Sequence, residues 1–211
     1  MPEGIPRTGT SQSGTTSATA SRSRRDLLRD GALIGAGGAA LSLMGAGTQA
    51  LASPGTPQLR DIPSAKALRA AMRRAIDVAD DTKKPFGAVL IDEENGGFVA
   101  EAVNTTKESH DPSAHAEVAV MRKAGIAGVD LSKTVLVTTV ESCPMCAACA
   151  CYARIKGVVY GTSLEFLIKH GRGSILISQA MVIAAAPEDL RMPLVGGVLS
   201  DQTDALVLKK S

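Results

Sequence analysis

The sequence predicts a three-layer α/β/α sandwich built around a mixed central sheet. Segments with helical and strand periodicity alternate along the chain, and this order places helices on both faces of one sheet. Two short apolar runs early in the alternation are joined by a turn, which indicates an antiparallel hairpin. Later strands are separated by a helix, and a strand–helix–strand unit makes its two strands parallel. The sheet should therefore contain both kinds of pairing.

The first helix is predicted over residues 64–82, where Ser64 is a suitable N-cap. Its apolar residues recur at near-helical spacing: Leu68, Met72, Ile76 and Val78. The hairpin follows, with strands at 86–92 and 97–103 joined by the turn sequence EENG. The chain has no Trp, two Tyr and three Phe, so its core must consist mainly of Val, Ile, Leu and Ala.

A helix–strand–helix–strand sequence follows the hairpin. A helix is predicted over 114–125, with Gly125 as its stop, and the apolar run 134–140 predicts a buried strand. A second helix at 144–155 precedes a strand at 157–162. Three more helices are predicted in the C-terminal part: 163–170, 177–185 and 199–210.

The net charge of +2 is unevenly distributed along the chain. Residues 1–52 contain five Arg and three acidic residues; subtracting them from the totals of 23 basic and 21 acidic residues leaves 18 of each. A balanced globular part gives no electrostatic signal for binding long polyanions such as nucleic acid, although a local basic patch is compatible with it.

Residues 1–52 are predicted to be a disordered leader followed by an export signal. Residues 7–23 are rich in Ser, Thr and Gly and too polar to form a core. Arg24 and Arg25 then precede a Gly-rich apolar run at 31–52, in the order of a bacterial signal peptide. The segment resembles a twin-arginine signal, so we expect an exported protein, periplasmic or secreted.

The small-x-small ending of this run predicts cleavage after Ala52, which would leave 159 of the 211 residues. Residues 53–63 would then be a linker and residues 64–211 the globular domain. An uncleaved N-terminal anchor is the alternative interpretation. No other segment approaches the roughly 20 apolar residues of a membrane span.

All four cysteines lie in the stretch ESCPMCAACAC, at positions 143, 146, 149 and 151. Export to an oxidising compartment usually favours disulfides. Twin-arginine systems, however, carry proteins that are already folded, often with the cofactor in place. Such a route suits a reduced metal site.

Cys143 and Cys146 lie three residues apart at the start of a predicted helix, so both sulfurs can face one point. A helix N-terminus also favours the thiolate form that a soft metal requires. His115, near the start of another helix, can add a nitrogen ligand. One His and two Cys leave the fourth position of a tetrahedral zinc open, as in catalytic sites. Glu117 is then the candidate proton carrier.

Each of these features has a simpler interpretation when taken alone. A Cys-x-x-Cys pair is also typical of thiol–disulfide proteins and of structural zinc sites, and a lone His or Glu is usually an ordinary side chain. A zinc module without catalytic activity is a further alternative. Cys149 and Cys151 point in different directions on a helix and are expected to be small buried hydrophobic residues.

Together, His-x-Glu followed by Cys-x-x-Cys is typical of zinc-dependent nucleobase deaminases. The segments PFGAVLID, VNTT, DPSAHAEVAVMRKAG and TTVESCPMCAACACYARIKGVVYGTS resemble the cytidine deaminase-like superfamily over nearly all of residues 64–208. The branch they resemble most contains guanine deaminases and tRNA adenosine deaminases. The resemblance implies the cytidine deaminase-like fold and hydrolysis of an exocyclic amine with release of ammonia.

The resemblance also implies roles for individual residues. It makes His115, Cys143 and Cys146 the ligands of one Zn²⁺ per chain and Glu117 the proton shuttle. By the same likeness Asn104 hydrogen-bonds the base, and the backbone of Gly87 and Ala88 lines the zinc pocket. A homodimer is implied as well.

The chain departs from the family pattern at three places. Ser142 replaces the usual Pro before the first Cys, and Tyr152 occupies a position that is commonly Trp. Guanine deaminases carry an acidic base-binding residue at about the position of Phe166, which here follows Glu165. The expected substrate is a free nucleobase or nucleoside, with guanine first and cytosine or an adenine-type base next. A tRNA substrate comes last because it predicts an internal enzyme with a positive face.

Overall fold

The computed structural model describes residues 63–82, 84–173 and 175–209. The predicted leader and signal of residues 1–52, and the linker up to residue 62, lie outside the described residues. Within the described ranges, one five-stranded sheet is packed between two layers of helices. The predicted three-layer α/β/α sandwich is confirmed. None of the helices in these ranges is long and apolar enough to cross a membrane.

Seven helices and five strands form the described part of the chain. The helices are α1 (Ala65–Asp81), α2 (Thr106–Ser109), α3 (Ala116–Ile126), α4 (Pro144–Tyr152), α5 (Leu164–Lys169), α6 (Gln179–Ala185) and α7 (Ser200–Lys209). The strands are β1 (Gly87–Asp92), β2 (Phe98–Val103), β3 (Thr134–Val140), β4 (Gly157–Thr162) and β5 (Leu194–Val195). Short 3₁₀ helices cover Leu131–Lys133 and Glu188–Leu190.

The strands lie in the order β2-β1-β3-β4-β5. β1 is antiparallel to both β2 and β3, while β3 is parallel to β4 and β4 to β5. The predicted hairpin and the predicted parallel pairing are both present. Because β2 and β3 are each antiparallel to β1, they run in the same direction and their carboxyl ends meet at one edge of the sheet.

Alternate side chains of the strands enter two separate cores. Val89 and Ile91 of β1 pack against Leu68 and Met72 of α1 on one face. On the other face, Ala88 and Leu90 join the core formed with α3 and α4. This period-two alternation on a sheet covered on both sides explains the continuous apolar runs of β1 and β3.

α1 forms where its sequence predicts. The Ser64 hydroxyl accepts a hydrogen bond from the Ala67 N–H (3.3 Å), which caps the first turn. Three of the residues buried on its inner face are alanines, Ala71, Ala75 and Ala79. Small side chains allow the helix to approach β1 closely.

Two helix ends differ from the prediction. Gly125 does not stop α3, which continues to Ile126; the chain turns instead at Gly128 (φ 80°), whose N–H donates to the Gly125 carbonyl at 3.0 Å. α4 ends at Tyr152 rather than at 155, because Arg154 adopts the left-handed conformation (φ 56°).

Candidate active site

The direction of the strands explains how distant sequence motifs meet. α3 follows β2 and α4 follows β3, and these two strands run in the same direction. Both helices therefore begin beside the same edge of the sheet. The partial positive charge of each helix N-terminus faces this region and favours anionic groups there.

His115 is held at the start of α3 by the loop before it. The Asp111 carboxylate accepts hydrogen bonds from the N–H (2.8 Å) and hydroxyl (2.6 Å) of Ser113. Arg122, about two turns along α3 from His115, forms an ion pair with Asp111 at 3.5 Å. His115 is the N-cap residue, with extended backbone (φ −66°, ψ 155°), so its ring leaves the chain ahead of the first turn.

The two thiols are presented by the start of α4. Cys143 is the N-cap residue and Pro144 the first helical residue, where the missing N–H of proline breaks no helical hydrogen bond. Cys146 lies one turn further along and is fully buried. The Ala147 N–H donates to the Cys143 carbonyl (2.9 Å), which closes the first turn between the two sulfurs.

The three donor atoms have the spacing of a metal site. Cys143 Sγ lies 3.6 Å from His115 Nδ1 and 3.6 Å from Cys146 Sγ, and Cys146 Sγ lies 3.5 Å from His115 Nδ1. Ligand atoms of a tetrahedral zinc, with bonds of about 2.0–2.3 Å, are roughly 3.5–3.8 Å apart. The donors thus fit three corners of one tetrahedron. No other His, Cys, Asp or Glu group of this kind occurs among the described residues.

The electrostatics of the sulfurs also suit a metal. The hydrogen bond between the two thiols, together with His115, lowers the pKa of Cys143 to about 4. The pKa of Cys146 is raised, first by its role in that hydrogen bond and then by burial. A divalent cation bound to both sulfurs would displace the remaining thiol proton. The hydrogen bond with Cys143 likewise raises the pKa of His115.

Glu117 lies in the first turn of α3 and is only 7% exposed. Burial raises the pKa of its carboxyl group, and the negative charge of Cys143 adds to the effect. The Ser142 hydroxyl acts in the opposite direction and lowers the pKa of Glu117. Its present orientation does not give a hydrogen bond of ordinary geometry. A carboxyl group with a raised pKa can both accept and return a proton near neutral pH.

These groups open onto one cavity of about 210 Å³. Its polar wall includes Asn104, His115, Glu117, Ser142 and Cys143. Its apolar wall is formed by Phe86, Val140, Leu164, Leu167, Ile175 and Ile177. A small pocket with an apolar wall and a few convergent polar groups is the usual form of a small-molecule site.

Asn104 lies on the cavity wall, and the orientation of its side chain is fixed. Its Oδ1 accepts hydrogen bonds from the N–H (3.0 Å) and hydroxyl (2.8 Å) of Thr106. A backbone N–H can only donate, so the oxygen of the amide must be the atom facing Thr106. The two N–H groups of the Asn104 amide are left for a hydrogen-bond acceptor on a ligand.

Gly87 and Ala88 are not among the residues that line the cavity. The Gly87 N–H donates to the Thr139 hydroxyl at 3.0 Å, and Ala88 is fully buried in the core between the sheet and α3. At this end of β1, the preceding residue Phe86 forms the cavity wall instead.

The remaining cysteines are placed as the packing interpretation predicts. All four cysteines are free of disulfides. Cys151 is buried and Cys149 half-buried, both in contact with the core between the sheet and α3–α4. Burial raises the pKa of both thiols, so they stay protonated and unreactive.

The role of Glu141 was not predicted from the sequence. This residue directly follows β3 and lies two residues before Cys143. Its carboxylate accepts hydrogen bonds from the N–H of Leu164 (2.8 Å) at the start of α5 and of Gln179 (2.9 Å) at the start of α6. One acidic side chain thus caps two helices. Neither partner is near Glu141 in sequence, so no local pattern could have identified them.

The position at which guanine deaminases carry an acidic base-binding residue does not face the cavity in this protein. Leu164 and Leu167 of α5 line the cavity, but Glu165 and Phe166 do not. The Phe166 ring lies against His170, with ring centroids 4.1 Å apart. Arg172, just beyond α5, places a cation on the cavity wall, and no motif in the sequence marked it.

The model of the cytidine and deoxycytidylate deaminase zinc-binding region matches residues 64–162. The guanine deaminase of Bacillus subtilis strain 168 is 42% identical over 78 residues, which cover 36% of this chain and 49% of that protein. The chain thus matches about half the length of this relative.

A tRNA-specific adenosine deaminase of Rickettsia bellii is 33% identical over 106 residues, covering 49% of this chain and 71% of the relative. Among solved structures, a guanine deaminase from Nitrosomonas europaea has a TM-score of 0.57 over 71% of this chain and 85% of its own, at 18% identity. That likeness concerns the fold. The chain therefore belongs to the cytidine and deoxycytidylate deaminase family, and it carries a zinc-binding domain in which His115, Cys143 and Cys146 are placed to hold one metal ion.

Proposed function

We propose that this protein is a zinc-dependent hydrolytic deaminase of a nucleobase or nucleoside. The observation that carries the proposal is the position of Glu117: a buried carboxyl group lies on the same cavity wall as a His/Cys/Cys cluster with tetrahedral spacing. A structural zinc site would need neither an open fourth position nor a neighbouring buried acid.

The reaction exchanges an amino group for an oxygen. Water adds to the ring carbon that bears the amine, the carbon–nitrogen bond breaks, and ammonia leaves. Zinc held by the three donors supplies Lewis acidity that makes the attacking water more acidic. Glu117 accepts a proton from that water and delivers it to the departing nitrogen. The second proton of the water ends on the ring nitrogen as the carbonyl forms, so the protons balance. The raised pKa of Glu117 suits its two transfers.

Asn104 orients the substrate in this proposal. Its amide N–H groups donate to an acceptor on the ring, such as a carbonyl oxygen or an unprotonated ring nitrogen. The apolar wall around Phe86 and Leu167 contacts the faces and edges of the heterocycle. Each of the candidate bases offers an acceptor, so Asn104 selects for a heterocycle rather than for one base.

Among bases, we rank guanine first because a guanine deaminase is 42% identical over the shared region. Cytosine or an adenine-type base follows. The test is a panel of free bases and nucleosides incubated with the zinc-loaded protein, with ammonia release as the readout. Turnover of at least one free base or nucleoside is expected. Absence of turnover on the whole panel, with full zinc content, would overturn the proposal.

A tRNA adenosine deaminase is the second candidate function. Arg172 and Lys107 line a wider cavity of about 500 Å³ that adjoins the first at Phe86 and Asn104. Both cations lack an ion-pair partner within the described residues, whereas the neighbouring Lys84 is paired with Glu108 at 2.6 Å. Activity on an anticodon stem-loop but on no free base or nucleoside would favour this candidate.

We also propose that the protein is a homodimer, as the family resemblance implies. An apolar groove between α4 and α6 supports this, because Tyr152, Ile177 and Met181 are exposed there at 79%, 43% and 61%. Light scattering should give twice the chain mass, and Met181→Glu should shift it toward the monomer. A monomer for the unmodified chain would contradict the proposal.

Export remains a proposal that rests on the first 52 residues. Intact mass measured on protein recovered from a bacterial host with a working twin-arginine pathway should correspond to residues 53–211. Replacing Arg24 and Arg25 with Lys should leave the full-length protein inside the cell. If the unmodified protein were found at full length in the cytoplasm of the host, this localisation would be contradicted.

A further inference from the structure

Ser142 brings two hydrogen-bonding groups to a position where the family pattern has proline. The first is its backbone N–H, which donates to the side-chain oxygen of Gln179 at 3.3 Å. Gln179 is fully buried, and its own N–H is held by Glu141. The extra N–H therefore has a dedicated partner, and the start of α6 fixes the backbone of Ser142.

The second group is the side-chain hydroxyl, and it has no such partner. Ser142 is only 2% exposed, and its Oγ makes no hydrogen bond to any described residue. A buried hydroxyl without a partner destabilises the fold, whereas alanine or proline would not incur this cost. Such an orphan group beside a reactive site indicates a partner that is engaged only when the site works.

The surroundings identify that partner. Ser142 lies on the wall of the same cavity as Glu117 and directly precedes the ligand residue Cys143. Two carboxyl groups lie on this wall, those of Glu117 and Glu141. The Glu141 carboxylate already accepts hydrogen bonds from the N–H groups of Leu164 and Gln179, which leaves the buried Glu117 as the acceptor for the hydroxyl. Rotation about the Cα–Cβ bond moves the serine oxygen, and rotation about the Cβ–Oγ bond directs its proton.

We propose that Ser142 is a positioning residue whose hydroxyl donates a hydrogen bond to the carboxylate of Glu117 and holds it in the orientation for proton transfer. This inference rests on the proposed function for its catalytic consequence. With one carboxylate oxygen held by Ser142, the other is left free to exchange a proton with water and the leaving amine. Proline at this position, as in the family pattern, cannot make this contact.

The first test compares Ser142→Ala with Ser142→Thr, which keeps a hydroxyl. Ser142→Ala should lower kcat by about tenfold or more, the effect of losing a hydrogen bond to a charged group, with KM within about twofold. Ser142→Thr should recover most of the loss. Both variants should retain one zinc per chain. A rise in KM with unchanged kcat would show that the hydroxyl contacts substrate instead and would overturn the proposal, as would loss of zinc.

The second test does not depend on activity, so it separates this inference from the proposed function. A double-mutant cycle combines Ser142→Ala with Glu117→Ala in the zinc-loaded protein and measures thermal unfolding. The effect of Ser142→Ala on Tm should differ between the two backgrounds, because the hydroxyl loses its partner when Glu117 is removed. Ser132→Ala, a change at an exposed serine distant from the cavity, should be additive. Additivity for Ser142→Ala would contradict the proposal.

Discussion

Cys143 and Glu117 lie on the same cavity wall but shift from their ordinary acid strengths in opposite directions. Hydrogen bonds with Cys146 and His115 stabilise the thiolate of Cys143, so its pKa falls to about 4. Glu117 is removed from water by burial, so its pKa rises. The first shift prepares a metal ligand, and the second prepares a proton carrier.

Glu117→Gln tests the proton carrier. The amide keeps the shape of the side chain but cannot accept and return a proton, so kcat should fall by at least about 10²-fold. Zinc content should stay at one per chain, because Glu117 is not one of the three donors. Ammonia release and metal analysis measure the two effects. Glu188→Gln, on an exposed 3₁₀ turn, is the control and should retain activity. Full ammonia release by Glu117→Gln would show that Glu117 is not the proton carrier.

Cys143→Ser and Cys149→Ser form a matched pair that separates metal binding from packing. Serine is a poor zinc ligand, so Cys143→Ser should lose most of the bound zinc. Cys149 lies outside the donor cluster, and Cys149→Ser should keep zinc while lowering stability slightly. Metal analysis after gel filtration measures both. Equal zinc loss in the two variants would show that the donor set has been misassigned.

The sequence predicted which segments of this fold are helices and which are strands, but not the residues at which some of them end. Continuous apolar runs identified β3 and β4, and a Ser N-cap identified α1. The end of α4 depends on the left-handed conformation of Arg154, which sequence does not mark in a non-glycine residue. β5 has two residues and forms only by pairing with β4, so it has no periodicity of its own.

The site shows the same division between local and long-range information. His115, Glu117, Cys143 and Cys146 are recognisable because each lies in a short motif with fixed spacing. The support from Gln179 was not predictable, since it joins positions 37 residues apart that carry no shared pattern. The backbone role of Gly87 and Ala88 was implied by the family resemblance alone, and which residue of a strand end faces a cavity depends on the packing of the whole sheet.

Gly87→Ala tests the contact between α1 and β1. A methyl group on Gly87 would overlap the Ala75 carbonyl oxygen, which belongs to the helix backbone and cannot move alone. The free energy of unfolding should fall by about 2–3 kcal/mol or more, measured by urea denaturation. Gly125→Ala is the control, because the nearest atom to its added methyl is 4.0 Å away in a helix interior. That variant should be unchanged or more stable by up to about 1 kcal/mol. Equal effects of the two substitutions would contradict this packing.

At the scale of the whole molecule, the sheet both forms the core and brings the two motifs together. β2 and β3 run in the same direction, so α3 and α4 begin at one edge and place His115 beside Cys143, 28 residues away. The metal site therefore links α3 and α4, two helices of the layer that covers one face of the sheet. A ligand that binds only the folded arrangement stabilises it by mass action.

Removal of zinc should consequently lower the stability of the entire domain. At a free zinc concentration about 100-fold above Kd, binding contributes about 2.7 kcal/mol. For a domain of this size, such a loss corresponds to a fall in Tm of roughly 5–11 °C. Differential scanning calorimetry with and without a chelator measures it, and restored zinc should restore Tm. An unchanged Tm after complete zinc removal would show that the ion is not held by the folded core.

X-ray absorption spectroscopy at the zinc edge tests the proposed metal centre most directly. One His, two Cys and one solvent oxygen predict two sulfur neighbours at about 2.3 Å and two nitrogen or oxygen neighbours at about 2.0–2.1 Å. Cys143→Ser should reduce the sulfur count or remove the metal. A shell of three or four sulfurs, or a purified protein with no zinc and a Cys143–Cys146 disulfide, would contradict a catalytic zinc site formed by His115, Cys143 and Cys146.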